Sequence, residues 1–396
     1  MRIKSFAIAL SLCATIPLAA QDELIDKVKD NGAADAEQGF EFETIVDLEA
    51  TPVKNQGRSG TCWSYATSSF IESEMIRMGK EPVDISEMFT VRQVYLDKAE
   101  RYVRLHGNLN FGQGGALPDV MYVIKKYGAV PQEVYEGLDY GMDENNHGEL
   151  ESILKAQLEQ VVKNHNKTLS PSWRKAFEAT LDAYLGEYPE EFEWNGKKYT
   201  PRTFADEVIG IKPDNYIQIT SFTHQPMHES VMIEVPDNWL WGESYNVTLD
   251  EMEQAVDYSL EQGYTMGWAT DVSEKGFSLK NALAIVPAED YSDMTSEERE
   301  TMFEGPKEEM KIDAEIRQAA YDNYETTDDH GMQITGKVKD QNGNEYYVVK
   351  NSWGERKNSN RVGYIYASES FFRYKTISVL MHKDALPKSI KKELDL

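Results

Sequence analysis

Apolar and polar positions divide the chain into a helical first half and a β-rich second half. From Cys62 to Met78, Tyr65, Ser69, Glu72 and Met75 or Ile76 recur at helical spacing, with Gly79 as a stop. Ile85 to Arg104 predicts a second long helix, and Leu117 to Tyr127 a third, ended by Gly128. Between them, Asn108 to Gly115 is a glycine-rich loop. Residues 143–212 predict charged helices over Glu149–Lys163 and Ser172–Leu185, then a hairpin near Asn195-Gly196. Strand patterns occupy 215–240, as YIQITSF and VMIEV, and Thr265–Asp271, with a helix over Leu249–Gln262 between them. Residues 290–317 are acidic and read as helical or loose. Gly331–Lys339 and Glu345–Asn351 alternate around Asp340-Gln341-Asn342-Gly343, a hairpin signature, and Gly363–Ala367 and Ile377–Met381 are further strands. The fold class this predicts is α+β.

The N-terminus reads as an address. Arg2 and Lys4 precede the apolar run Phe6–Ala20, and polar Gln21, Asp22 and Glu23 follow small residues, which is the layout of a cleaved export signal. The run is too short for a comfortable membrane span, which needs about 20 residues. Leu12 before Cys13 is not the small residue that lipid attachment wants. Export to a bacterial periplasm or the medium is expected, with no stable membrane contact after cleavage.

The chain of 396 residues has 40 % hydrophobic and 28 % charged residues, enough for a sizeable core. Its net charge of −27 repels phosphate backbones and argues against nucleic acid as the main partner. With Cys13 removed, Cys62 is the remaining thiol, which leaves no intramolecular disulfide and no cysteine-based zinc site. Nothing marks a metal cluster, P-loop or dinucleotide loop, so no cofactor is expected.

Cys62 follows Gly60-Thr61 at the start of a predicted helix, where the helix dipole favours a thiolate. A cysteine nucleophile needs a base that takes its proton and returns one to the leaving group. Of seven histidines, His330 opens a strand beside Gly331, with room for a substrate. Asp329 next to it either tunes the imidazole or is a solvated acid. The amide of Asn351 can orient an imidazole, and Trp353 can screen that hydrogen bond from water. The amide of Gln56, six residues before Cys62, can donate to an oxyanion.

The segments NQGRSGTCW (Asn55–Trp63), His330-Gly331 and NSWG (Asn351–Gly354) together resemble the papain-like cysteine peptidases. The resemblance implies a papain-like fold, with one helical half, a β-barrel-like half and a cleft between them. It implies Cys62 as nucleophile, His330 as general base and acid, Asn351 as orienter and Gln56 in the oxyanion hole. Gly114, Gly115 and Trp353 are implied on the substrate side, with peptides as substrates.

Cys62 and His330 are 268 positions apart, against the common 130–150. The charged helical stretch at 143–212 is the obvious insertion, and with Ile85–Phe89, Tyr95–Lys98 and Lys126–Pro131 it resembles the bleomycin hydrolase or aminopeptidase C branch. That branch implies an aminopeptidase and a homohexamer. Two departures stand out. The branch is usually intracellular, and its C-terminal arm, which closes the cleft, looks shortened here, so that endopeptidase activity is the alternative. A non-catalytic peptide binder is a more distant one. The expected layout is a signal peptide at 1–20, a polar lead-in at 21–44, a helical half at 45–142, an insertion at 143–212, a β-rich half at 213–385 and a short tail at 386–396.

Overall fold

A computed structural model describes Leu24 and residues 39–165, 168–355 and 361–396. The expected signal peptide and most of the lead-in lie outside the described residues.

Helix α1 (Cys62–Arg77) runs through the middle of the molecule. From Cys62 to Met75 every residue except Ser69 is buried. The helix therefore has no solvent face, and its sequence lacks the one-sided pattern of a surface helix. Its small polar residues bond to neighbours instead. Ser64 Oγ donates to the Glu87 carbonyl at 3.0 Å, Thr67 Oγ1 to the Leu117 carbonyl at 3.1 Å, and Ser69 Oγ to Gln333 Oε1 at 2.6 Å. Around α1 pack α2 (Glu87–Arg104), capped by Ser86 Oγ accepting from Phe89 N, and α3 (Pro118–Lys126).

The 143–212 stretch is part of the same core. Leu150, Leu154 and Leu158 of α4 (Gly148–Val162) and Phe177, Leu181 and Leu185 of α5 (Ser172–Leu185) recur at helical spacing and bury against α2. The small hairpin forms between β2 (Phe192–Trp194) and β3 (Lys197–Tyr199).

The second half is one large sheet. Its strands are β1 (Glu43–Asp47), β4 (Tyr216–Thr220), β5 (Ser230–Met232), β6 (Glu243–Asn246), β7 (Met266–Thr270), β8 (Phe277–Ser278), β9 (Leu283–Ala284), β10 (His330–Lys339), β11 (Glu345–Lys350), β12 (Tyr364–Ser368) and β13 (Thr376–His382). The order is β5-β6-β4-β13-β7-β10-β11-β12-β9-β8, with β1 added to β10. Among the described residues the path keeps two free ends, so the sheet is not a closed barrel, which is consistent with the papain-like fold expected. Trp268, Ile334, Val349 and Val379 fill its core, covered by α6 (Leu249–Glu261). Ile390 and Leu394 at the C-terminus bury against the same core.

Two differences from the sequence reading matter. The predicted VMIEV strand ends at Met232, where the chain turns tightly, with Val235 N donating to Ile233 O at 3.0 Å. Ile233–Gly242 forms a loop instead. The short strands β8 and β9 were hidden in a stretch without clear alternation.

Candidate active site

The β10–β11 register places Lys350 opposite Gln333, so Asn351 emerges just beyond the strand end and reaches back to His330. His330 Nε2 meets Asn351 Oδ1 at 2.8 Å. The Trp353 ring stacks on the imidazole with centroids 4.2 Å apart. His330 Nδ1, also buried, has no partner among the described residues.

The loop before α1 docks on the same segment. Asn55 and Trp353 form an isolated antiparallel bridge, Gln56 N donates to Ser352 O at 2.8 Å, and Gly354 N to Lys54 O at 3.0 Å. The NQG and NSWG segments are thus one paired unit. Gln56 is fully buried. Its Oε1 accepts from Ser352 Oγ at 2.7 Å, and one of its two amide N–H groups goes to Ser59 O at 2.7 Å. The start of the 143–212 stretch braces this loop: Arg58 N donates to Asn145 O at 2.7 Å and His147 N to Arg58 O at 3.2 Å.

Cys62 and His330 face one cavity of about 600 Å³. Gly114 and Gly115 form part of its wall, while Gln56 and Trp353 lie behind the surface. Gly115 must be glycine for a steric reason. A methyl group there would lie 2.8 Å from both the Trp63 ring and Asp119 Oδ2. Trp63 Nε1 donates to Gln113 O at 3.1 Å, and Gly60 N to Gln113 Oε1 at 2.7 Å, so the glycine loop is tied to the start of α1. Below the loop, buried Lys98 donates to the carbonyls of Gly112 and Gly114.

Electrostatically, the sequence reading needs correction. Burial pushes the Cys62 thiol up to about 12, against backbone N–H groups of Gly331 and Trp63 that favour the thiolate. Burial also pulls His330 down to about 4, opposed by Asn351. The helix dipole is worth about 0.3–1 kcal/mol near a helix end, up to ~2 kcal/mol when partly buried, and desolvation outweighs it. Burial thus holds each group, taken alone, toward its neutral form. A proton moved from one to the other creates two adjacent opposite charges, which attract strongly in a dry site.

Asp329 does neither of the things expected of it. Its Oδ1 accepts from Val272 N at 2.9 Å and its Oδ2 from Ser273 N at 3.2 Å, holding the turn after β7. Sequence reasoning missed Asp237 and Asp328, which also line the cavity. The Asp328-Asp329 doublet before His330 was the available signal for one. Asp237 sits in the loop mistaken for a strand. Glu72, Asp84 and Glu87 come together as a metal trio would, but the Lys54 ammonium bonds to all three.

Comparison with known proteins agrees with this geometry. Residues 100–396, three quarters of the chain, match the Peptidase C1-like family. The chain belongs to that family. It is a cysteine peptidase with a papain-like fold. The family match includes His330 and Asn351 and begins after Cys62. Aminopeptidase C of Lactococcus lactis subsp. cremoris is 24 % identical over 387 residues, spanning 87 % of this chain and 83 % of that one. The mitochondrial cysteine proteinase 1 of Saccharomyces cerevisiae (strain YJM789) is 20 % identical over 419 residues, spanning 94 % and 82 %. The crystal structure of PepW from Lactobacillus rhamnosis HN001 superposes with a TM-score of 0.69 at 18 % identity, covering 95 % of this chain and 90 % of that one.

Proposed function

We propose that this peptidase is an aminopeptidase that removes N-terminal residues from peptides through a thioester on Cys62. The Cys62 sulfur attacks the carbonyl carbon of the first peptide bond while its proton passes to His330 Nδ1. The S–C bond forms, and the oxygen takes negative charge beside the Cys62 N–H and the unused amide N–H of Gln56. As the C–N bond breaks, His330 returns the proton to the leaving amine. Water then attacks the thioester, giving its proton to His330, and the thiolate leaves with that proton restored. Asn351 holds the imidazole with Nδ1 toward the sulfur throughout.

The observation that carries this reading is the pairing of His330 Nε2 with Asn351, which leaves Nδ1 as the ring nitrogen open to a thiol on the same cavity. The aminopeptidase assignment is supported by the aminopeptidase C relatives along most of the chain. Two fluorogenic peptides of equal sequence, one with a free and one with an acetylated N-terminus, test it, with Cys62→Ala as control. Cleavage of the free peptide, lost in the variant, is expected. Equal cleavage of the acetylated peptide means an endopeptidase.

Export is part of the same proposal, supported by Arg2, Lys4 and the apolar run to Ala20. Cell fractionation tests it. A homo-oligomer, hexameric by resemblance, is tested by sedimentation.

A further inference from the structure

The cavity has an acidic wall that the steps above do not use. Asp237, in the loop after β5, lays its carboxylate against Gly114. A methyl group on Gly114 would fall 1.8 Å from Oδ2 and 2.7 Å from Oδ1. The missing side chain at Gly114 therefore lets a carboxylate rest on the loop backbone inside the cleft. Asn110 Nδ2 donates to Asp237 Oδ1 at 3.1 Å, and Oδ2 has no hydrogen-bond partner among the described residues. Asp328 lines the same cavity, two residues before His330. Among the described residues it has no hydrogen bond and no ion pair.

These two acids lie within electrostatic reach of each other and of the Cys62 sulfur. Both push the thiol up, and burial followed by Asp237 pushes Asp328 up to about 8. The buried cation nearby, Lys98, attracts Asp237 but gives its hydrogen bonds to the carbonyls of Gly112 and Gly114, so neither acid is hydrogen-bonded to it. Arg58 and Lys155 also line the cavity; the Arg58 backbone is bonded to Asn145, and Lys155 sits on α4, where it attracts Glu151. Like charges held together beside a nucleophile that must itself become negative are unfavourable unless the substrate brings a positive charge.

A free peptide brings one to the required place. The α-nitrogen of the first residue is two bonds from the carbonyl under attack, roughly 2.5 Å away from standard bond lengths. An ammonium has three donors, enough for two carboxylates. Resting on the aminopeptidase reading above, we propose that Asp237 and Asp328 receive the substrate's α-ammonium and confine cleavage to a free N-terminus. They are specificity residues, distinct from the groups that move protons.

The test compares kcat/KM on free and acetylated peptides for wild type, Asp237→Asn and Asp328→Asn, with circular dichroism to verify folding. A wild-type preference for the free peptide that falls at least tenfold in either folded variant, through KM on the free peptide, supports the proposal. A strong wild-type preference that both folded variants keep overturns the proposal alone. No wild-type preference overturns the aminopeptidase reading and the proposal with it. A third peptide, acetylated with lysine before the scissile bond, identifies the source of the cation. If wild type cleaves it as fast as the free peptide and the variants lose that activity, the acids read a basic side chain and the proposal fails.

Discussion

Trp353 lies on His330 with 29° between the ring planes and 4.2 Å between the centroids. This stacking, with the 2.8 Å contact to Asn351 Oδ1, fixes the imidazole on two sides. Asn351→Ala leaves a buried ring nitrogen without its partner, a loss of about 1–3 kcal/mol. Were that loss felt wholly in the transition state, kcat would fall by roughly 5- to 150-fold. Steady-state kinetics with the free-amine peptide read it, and a KM effect alone would reject the orienting role.

Gln56 provides a different signature. Gln56→Ala removes a proposed oxyanion donor and is expected to lower kcat by about 10²–10³-fold with KM little changed. Ser352→Ala removes the hydroxyl that holds Gln56 Oε1. Its effect on kcat is expected in the same direction and smaller. A Ser352→Ala loss as large as that of Gln56→Ala would mean the hydroxyl does more than hold the amide.

Gly115→Ala places a methyl group against the Trp63 ring, which is pinned by its bond to Gln113. Overpacking of this kind costs typically about 1–3 kcal/mol. Thermal melting is expected to show a lower Tm. Gly343→Ala in the β10–β11 turn has open space around the new methyl but a φ of 87°, so it is destabilised by backbone strain alone.

Stability should depend on pH in an unusual direction. Burial raises Glu87, Asp119 and Glu309 to about 7 and Asp328 to about 8. Unfolded carboxyls titrate near 4. The folded state therefore holds extra protons between about pH 4 and 8, and these groups lose stability as pH rises through that window. His147 and His330, lowered to about 4, act oppositely, losing stability as pH falls from 6.5 to 4. Four carboxyls outweigh two histidines, and the net charge of −27 adds repulsion at higher pH. The urea midpoint is expected to be higher at pH 5 than at pH 8, by an amount worth several kcal/mol. His147→Gln should steepen the fall with rising pH, because it removes an opposing group.

The long helices, the β10–β11 hairpin and the Gln, Cys, His and Asn set were legible because each follows from local pattern or a short motif. Helix α2 begins at Ser86 and Glu87, within two residues of the expected start, because the cap is a local signal. What stayed illegible depends on distant contact. The thiol's environment is set by burial between two halves, which no window around Cys62 contains. The Ile233–Gly242 loop looked like a strand because Ile233 and Val235 are apolar, but both face the cleft rather than a neighbouring strand. Asp237 becomes noticeable only when Gly114, more than a hundred residues earlier, is seen to leave room for it.

The buried helix α1 and strand β10 meet along the centre of the molecule, yet they lie far apart in the chain. Synthesis delivers the thiol 268 residues before the imidazole. At 5–20 residues per second this is a delay of roughly 15–50 s. Throughout it the growing polypeptide has a cysteine with no base, no Asn351 and no cleft. Hydrolytic competence therefore waits for His330 and Asn351 to be made, so the thiol leaves the ribosome well before it can cut.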